Sequence, residues 1–165
     1  MSARFQRITP FLWFDRQAEE AANFYVSVFE NSRIVSTTRY NAESAAASGC
    51  PEGSLMTAVF ELDGMQFVAL DGGPMFRFNE AVSLVVNCHS QEEVDYYWNK
   101  LTQGGDEKAQ QCGWLKDRYG LSWQVIPVEM IEMFSHSDHA KVSRMTDAMM
   151  KMKKIDLNVL REAMN

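Results

Sequence analysis

Glu19-Glu20-Ala21-Ala22-Asn23-Phe24-Tyr25 recurs, loosely, as Glu92-Glu93-Val94-Asp95-Tyr96-Tyr97-Trp98. Each copy follows an apolar run of strand character, Phe11 to Phe14 in the first case and Val82 to Val86 in the second. Each precedes a turn and further strand-like segments. A chain that states one strand-helix-strand theme twice reads as two copies of one module. Two such modules facing each other are expected to enclose a cavity, and cavities bind small molecules.

Working outward from the first copy, Ile8 to Phe14 reads as a strand and Asp15 to Asn31 as a helix. Ala18, Ala21, Ala22, Tyr25, Val28 and Phe29 recur at spacings of three and four, which makes one apolar stripe. Arg33 to Tyr40 is β-branched and alternating, hence a strand. Asn41 to Ser54 is rich in Ala, Ser and Gly and reads as a loop long enough to cover a site. Leu55 to Leu62 and Met65 to Leu70 are strands around Asp63-Gly64, a strong hairpin dipeptide. Asp71-Gly72-Gly73-Pro74 breaks the chain, and the stretch to Glu80 links the halves.

The second copy runs in parallel. Ala81 to Asn87 reads as a strand, and Ser90 with Glu93 as a capping box at a helix start. Val94, Tyr97, Trp98 and Leu101 form its stripe, and Gly104-Gly105 ends it. Glu107 to Gln111, Gly113 to Lys116 and Leu121 to Ile126 are three short strands. The predicted order is β-α-β-β-β, twice, over residues 1–75 and 76–128. Residues 129–165 form a Met-rich helical extension. There Val142, Met145, Met149 and Met152 share one helical face, which is expected to pack on the body of the domain or else to form a dimer contact. Asp156 is the N-cap of a last helix.

Composition bounds the partners. The 165 residues are 46% apolar and 23% charged, with a net charge of −6. That balance argues against nucleic acid or an anionic membrane, both of which need a concentrated positive face. The only Lys cluster, Lys151, Lys153 and Lys154, reads as a solvated helix end. No run is long and apolar enough to span a bilayer, and no leader pattern opens the chain, so a cytoplasmic location is expected. Cys50, Cys88 and Cys112 make an odd, unpaired set, which speaks against a disulfide framework or a zinc knuckle. Cys112, beside Gly113 and Trp114, is a candidate reactive thiol, with a small buried hydrophobe as the plainer reading.

At this point the chain resembles the vicinal oxygen chelate superfamily, which includes glyoxalases, extradiol dioxygenases and bleomycin-resistance proteins, and most closely its PhnB-like branch. The resemblance rests on Ile8-Thr9-Pro10-Phe11-Leu12-Trp13-Phe14 leading into Ala18-Glu19-Glu20-Ala21 and Phe24-Tyr25. It rests also on Cys112-Gly113-Trp114-Leu115-Lys116-Asp117-Arg118-Tyr119-Gly120-Leu121-Ser122-Trp123-Gln124. It covers essentially the whole chain, the Met-rich tail included. Proteins of this branch are often labelled demethylubiquinone methyltransferase-like. The resemblance implies an α+β fold of paired βαβββ modules, completed as a homodimer.

Metal-dependent members of the superfamily hold a divalent ion by His, Glu or Gln from matching strands. Those positions fall at or near Thr9, Ala69, Ser83 and Gln124. Thr, Ala and Ser at three of four positions are a poor donor set for an ion that must polarise two substrate oxygens. A register slip brings Asp71 and Glu80 into range. His89, His136 and His139 lie outside the mapped positions. No cofactor is therefore expected.

Strand alternation separates two faces. The uniformly apolar sets, such as Leu12 with Phe14 and Leu84 with Val86, are expected to pack under the helices. The mixed sets then line the cavity: Thr9, Phe11, Trp13, Ser83, Asn87 and Gln124. Aromatic walls with a few amide and hydroxyl groups suit a neutral or ring-bearing molecule. Mixed faces are also what solvent-exposed strands look like, but Phe11 and Trp13 are costly to leave wet. Trp114 has two readings, a ligand-stacking platform or a cover for the edge of the core.

Three functions compete on sequence alone. The first is a metal-free small-molecule-binding protein. The second is an isomerase, lyase or dioxygenase of the same superfamily, with Asp71, Glu80 and Cys112 as acid-base candidates. The third is a methyltransferase. It is disfavoured because Gly72-Gly73 leads into Pro74 and Gly104-Gly105 ends a helix, so neither opens a helix against a phosphate-bearing cofactor.

Overall fold

The computed structural model describes residues 5–165 and divides the chain into two compact units, Met1–Phe78 and Asn79–Asn165. In the first unit, strands β1 (Phe11–Phe14), β2 (Arg33–Arg39), β3 (Leu55–Leu62) and β4 (Met65–Asp71) form one sheet in the order β1-β4-β3-β2. β1 runs parallel to β4, and the other neighbours are antiparallel. Helix α1 (Ala18–Val28) lies on this sheet through its stripe of Ala18, Ala21, Ala22, Tyr25 and Val28, all buried. Three small residues on the stripe let the helix approach closely. Tyr25 then stacks on Phe60, and Phe60 on Phe67 at 5.5 Å between ring centres, carrying the core from helix to sheet. The β3–β4 hairpin turns on Asp63 and Gly64, at φ of 45° and 76°, the left-handed pair that a tight two-residue turn requires.

Two expectations for this unit are corrected. The first strand begins at Phe11, not Ile8. Pro10 has no N–H to give a ladder and joins only through its carbonyl, which accepts from the Val68 amide at 3.0 Å. Ile8 is left 82% exposed. The stretch from Asn41 to Ser54 also contains a helix, α2 (Ala42–Ser48). Asn41 and Ser44 cap each other's backbone amides, and Gly49 closes the helix at φ 74°. Seven residues of high or neutral helix propensity between two good caps outweigh a loop-like composition.

In the second unit, strands β5 (Leu84–Cys88), β6 (Trp114–Lys116) and β7 (Ser122–Pro127) pair in the order β5-β7-β6, with β5 parallel to β7. Helix α3 (Gln91–Leu101) buries Val94, Trp98 and Leu101 and packs on β5 and β7. The expected strand over Glu107 to Gln111 does not form. Asp106 accepts from the Lys108 amide at 2.9 Å and winds Glu107–Ala109 into a single 3-10 turn. Only an isolated bridge from Gln111 to Trp114 remains. The second module is thus β-α-β-β, and β5 begins at Leu84, later than the expected Ala81. The capping box is also altered. Ser90 accepts from the Glu93 amide, but Glu93 reaches past Ser90 to accept from the His89 amide at 2.7 Å.

Three helices follow the sheet: α4 (Val128–Phe134), α5 (His139–Met149) and α6 (Leu157–Met164). They are built into the second unit. Ile126 of β7 shares a buried cluster with Met130, Met133, Met145, Ile155 and Leu160, and Val142, Met149 and Met152 pack against it. The Met stripe is therefore core packing, and Asp156 caps α6 as expected, accepting from Asn158 and Val159. Backbone bonds from Cys112 to Met152 and from Gly113 to Lys153, at 2.9 and 2.7 Å, stitch the tail to the strand region. Lys154, expected to be solvated, instead pairs with Asp95 of α3 at 2.5 Å. Among the described residues, no helix is long and apolar enough to cross a membrane.

Candidate functional site

Each sheet has one face under its helix and one far face. In the first unit Leu12 and Phe14 turn toward α1, while Phe11 and Trp13 turn away. The β1–β4 register places Val68 beside Phe11 and Leu70 beside Trp13, so the far face is an apolar strip with Phe11 59% exposed. Trp13 is fixed on it. Its Nε1 donates to the Gly73 carbonyl at 2.8 Å, and Phe76 meets it edge-on at 4.9 Å. The indole covers Gly72 so closely that no side chain fits there. Thr9 precedes the strand, and its Oγ1 accepts from Gln6 at 3.4 Å. A cleft of about 430 Å3 lined by Phe5, Gln6, Asp63, Gly64 and Met65 contains none of the expected residues.

In the second unit, alternation and register place Ser83, Val85, Asn87, Trp114, Lys116, Ser122 and Gln124 on the face away from α3. Three of the expected residues come together here. Gln124 Nε2 donates to Ser83 Oγ at 2.9 Å, and Trp114 is the cross-strand neighbour of Gln124. Asn87 lies apart, opposite Ile126 at the end of β5, and is exposed. Lys116 forms an ion pair with Glu80, which holds the Glu80 carboxyl below the usual carboxylate range. Ser122, on the mixed set but not singled out in the sequence, is buried, and its hydroxyl has no hydrogen-bond partner among the described residues. Strand alternation could have flagged it. Its pairing with Lys116 needed the β6–β7 register.

The superfamily's divalent ion does not fit these residues. Ala69 is fully buried and shares the α1 side of the sheet with Leu12, so the nearest far-face positions are the apolar Val68 and Leu70. The one-residue offset reverses the face. Asp71 shares the helix side too. Its Oδ1 accepts from the Ala18 amide at 2.8 Å and does the capping that Gln17 does not. Glu80 is engaged by Lys116. Among the described residues, no three His, Cys, Asp or Glu side chains converge. His89, His136 and His139 are exposed. The Cys112 thiol is half-buried against the Met149 carbonyl at 3.5 Å and the Met150 sulfur at 3.7 Å.

Asp71 offers a pH test. Burial pushes its carboxyl above the ordinary value of 3.8, and the Ala18 and Gln17 amides pull it partly back. A carboxyl with a raised folded pKa stabilises the fold below its ordinary pKa and loses that contribution as pH rises through the folded value. Asp71→Asn keeps an oxygen for the Ala18 amide and removes the buried charge. It is expected to melt no lower than the parent at pH 7, with any gain vanishing below about pH 4. A lower melting temperature at pH 7 would mean that the charge at the α1 N-terminus outweighs its desolvation.

The 3-demethylubiquinone-9 3-methyltransferase family matches over residues 6–126. The chain belongs to this family. A PhnB protein from Bacillus cereus is 39% identical over 74% of this chain and 99% of its own, with a TM-score of 0.65. Protein PA1353 from Pseudomonas aeruginosa, at 20% identity over 74% of this chain and 98% of its own, shares the fold with a TM-score of 0.58. Comparison with curated proteins returned no match. Family and fold place the chain in the PhnB-like branch of the vicinal oxygen chelate superfamily. The family match ends at Ile126. The expectation that the resemblance includes the Met-rich tail is therefore corrected: α4, α5 and α6 lie beyond the matched region.

Proposed function

We propose that this family member binds a small, ring-bearing molecule on the far faces of its sheets, as a homodimer and without a catalytic metal. The observation that carries the reading is the grouping of Trp114, Gln124 and Ser83. Gln124 spends one N–H on Ser83 and keeps its amide oxygen and second N–H, beside an indole wall. Phe11 and Trp13 give the first unit's far face a similar aromatic character. An apolar platform with a few placed polar groups is the usual make-up of a small-molecule site.

Methyl transfer, which the family's description suggests, is the weaker reading. Parallel-paired strands lead into helices through the turns Asp15-Arg16-Gln17 and His89-Ser90, while β7 enters α4 directly at Pro127. None of these junctions has the glycines that let a backbone approach a nucleotide cofactor. Calorimetry with S-adenosylmethionine is expected to show no binding, and clear micromolar binding would overturn this.

Native mass spectrometry of untagged protein purified without chelator tests the main reading. It should report a dimer with an organic adduct and no stoichiometric divalent ion. A retained ion would overturn the metal-free reading. Trp114→Ala should lose the adduct, at a cost of about tenfold or more in affinity, while its melting temperature stays close to the parent's. A variant that unfolds with no separable loss of binding places Trp114 in the edge of the core.

A further inference from the structure

Resting on the ring-binding reading above, we propose that the far face of the second sheet takes an aryl carboxylate, its carboxylate held by Lys116, Ser122 and Ser83 and its ring by Trp114. The starting point is Ser122. It is 1% exposed, and its Oγ has no partner among the described residues. A buried hydroxyl is nearly always paired, so this one calls for a group that the described residues do not supply. Alternation turns it to the same face as Gln124, and Lys116 is its direct cross-strand partner. The β5–β7 register, in which Leu84 faces Trp123, brings Ser83 alongside on the other flank.

The chemistry of these groups selects an anion. Lys116 donates only. The Ser83 oxygen already accepts from Gln124, which leaves its proton to donate. Ser122 has a proton free as well. An ammonium and two hydroxyl protons at adjoining positions on one face of three neighbouring strands match the lone pairs of a carboxylate through charge-assisted bonds. A carboxamide would set its own N–H groups against some of these donors.

The chain carries an internal stand-in for such a ligand. Glu80 places its carboxylate on Lys116 from outside the strands, with its side chain 65% exposed against 25% for Lys116. An exposed carboxylate on a half-buried ammonium is easily displaced, since surface pairs of this kind are weak. Trp114 lies two residues from Lys116 on the same face of β6, about 7 Å along the strand, which is comparable with the length of a benzoate ion. Glu80 is thus a built-in competitor that keeps the ammonium paired until a ligand arrives.

Isothermal titration of the full chain with benzoate and with benzamide tests this. Benzoate is expected to bind about tenfold tighter than benzamide. Glu80→Gln, at an exposed position that tolerates substitution, should tighten benzoate several-fold and leave benzamide unchanged. Lys116→Met should abolish the preference. Ser122→Ala should weaken benzoate while leaving the melting temperature equal or higher, because it removes an unpaired buried hydroxyl. Equal affinities for the two probes, with no effect of Glu80→Gln, would overturn the carboxylate assignment and leave the ring-binding reading intact. Binding of neither probe, with no change in Trp fluorescence, would overturn both.

Discussion

Asp117→Ala is expected to lower the stability of the second unit by about 3 to 5 kcal/mol. Asp117 is buried in the turn between β6 and β7. Its Oδ1 accepts from the Tyr119 and Leu121 amides at 2.8 and 3.1 Å, and its Oδ2 from the Trp123 indole at 2.8 Å. Its own amide donates to the Leu121 carbonyl, and Gly120 completes the turn at φ 85°. Truncation takes the carboxylate away from all three donors, two of its bonds, from the Leu121 amide and the Trp123 indole, being buried, and a lost buried acceptor costs more than the bond itself was worth. It also frees Trp123, which packs on the α3 side of the sheet. Asp117→Asn keeps one acceptor oxygen but turns an N–H toward one of the former donors, so its loss should be intermediate. Urea denaturation followed by Trp fluorescence reads both variants. An alanine variant within 1 kcal/mol of the parent would show that packing, and not this carboxylate, closes the hairpin.

The same turn shows which parts of the molecule the sequence makes legible. The stripes of α1 and α3, the Asp63-Gly64 hairpin and the Met face of α5 are periodic or local signals. Each depends on residues within one or two turns of chain, and each appears in the structure. The misses are positions where a local signal competes with another. Asn41 to Ser54 has a loop's composition, but its caps select a helix. Glu107 to Gln111 has a strand's place in the repeat, but Asp106 offers the backbone a tighter turn. For the site, alternation placed Gln124 and Ser83 on one face of the second sheet but left Trp114 with two readings, and only the β6–β7 register sets it beside Gln124. Alternation could not show that Lys116 faces Ser122, because that depends on the β6–β7 register. Nor could it show that Ala69 lies one residue out of phase with the far face, an error that reverses every conclusion about its side chain. The acid-base candidates illustrate the same limit. Asp71 is a helix cap delivered from a strand 53 residues further along the chain, a role no spacing reveals.

The second large effect concerns the tail. Leu160→Ala is expected to cost about 2 to 5 kcal/mol. Leu160 is fully buried in a cluster whose only sheet member is Ile126, with Met130, Met133, Met145 and Ile155 as its other members. Removing its side chain leaves a cavity that the surroundings refill only in part, and methionines, being flexible, should recover some of the loss. The control is Val159→Ala on the same helix. Val159 is 41% exposed and should change stability by no more than about 0.5 kcal/mol. The two variants also decide whether the tail folds with the sheet. Gln91 of α3 donates to the Ile155 carbonyl at 3.1 Å and accepts from the Leu157 amide at 2.8 Å, so the start of α6 is tied to the helix that covers the sheet. If the tail belongs to the core of the second unit, Leu160→Ala shifts a single cooperative transition, seen equally by Trp123 fluorescence in the sheet and by helical circular dichroism. If the tail is an independent appendage, helical signal is lost at lower denaturant than the Trp123 signal, and the sheet transition stays where the parent's was.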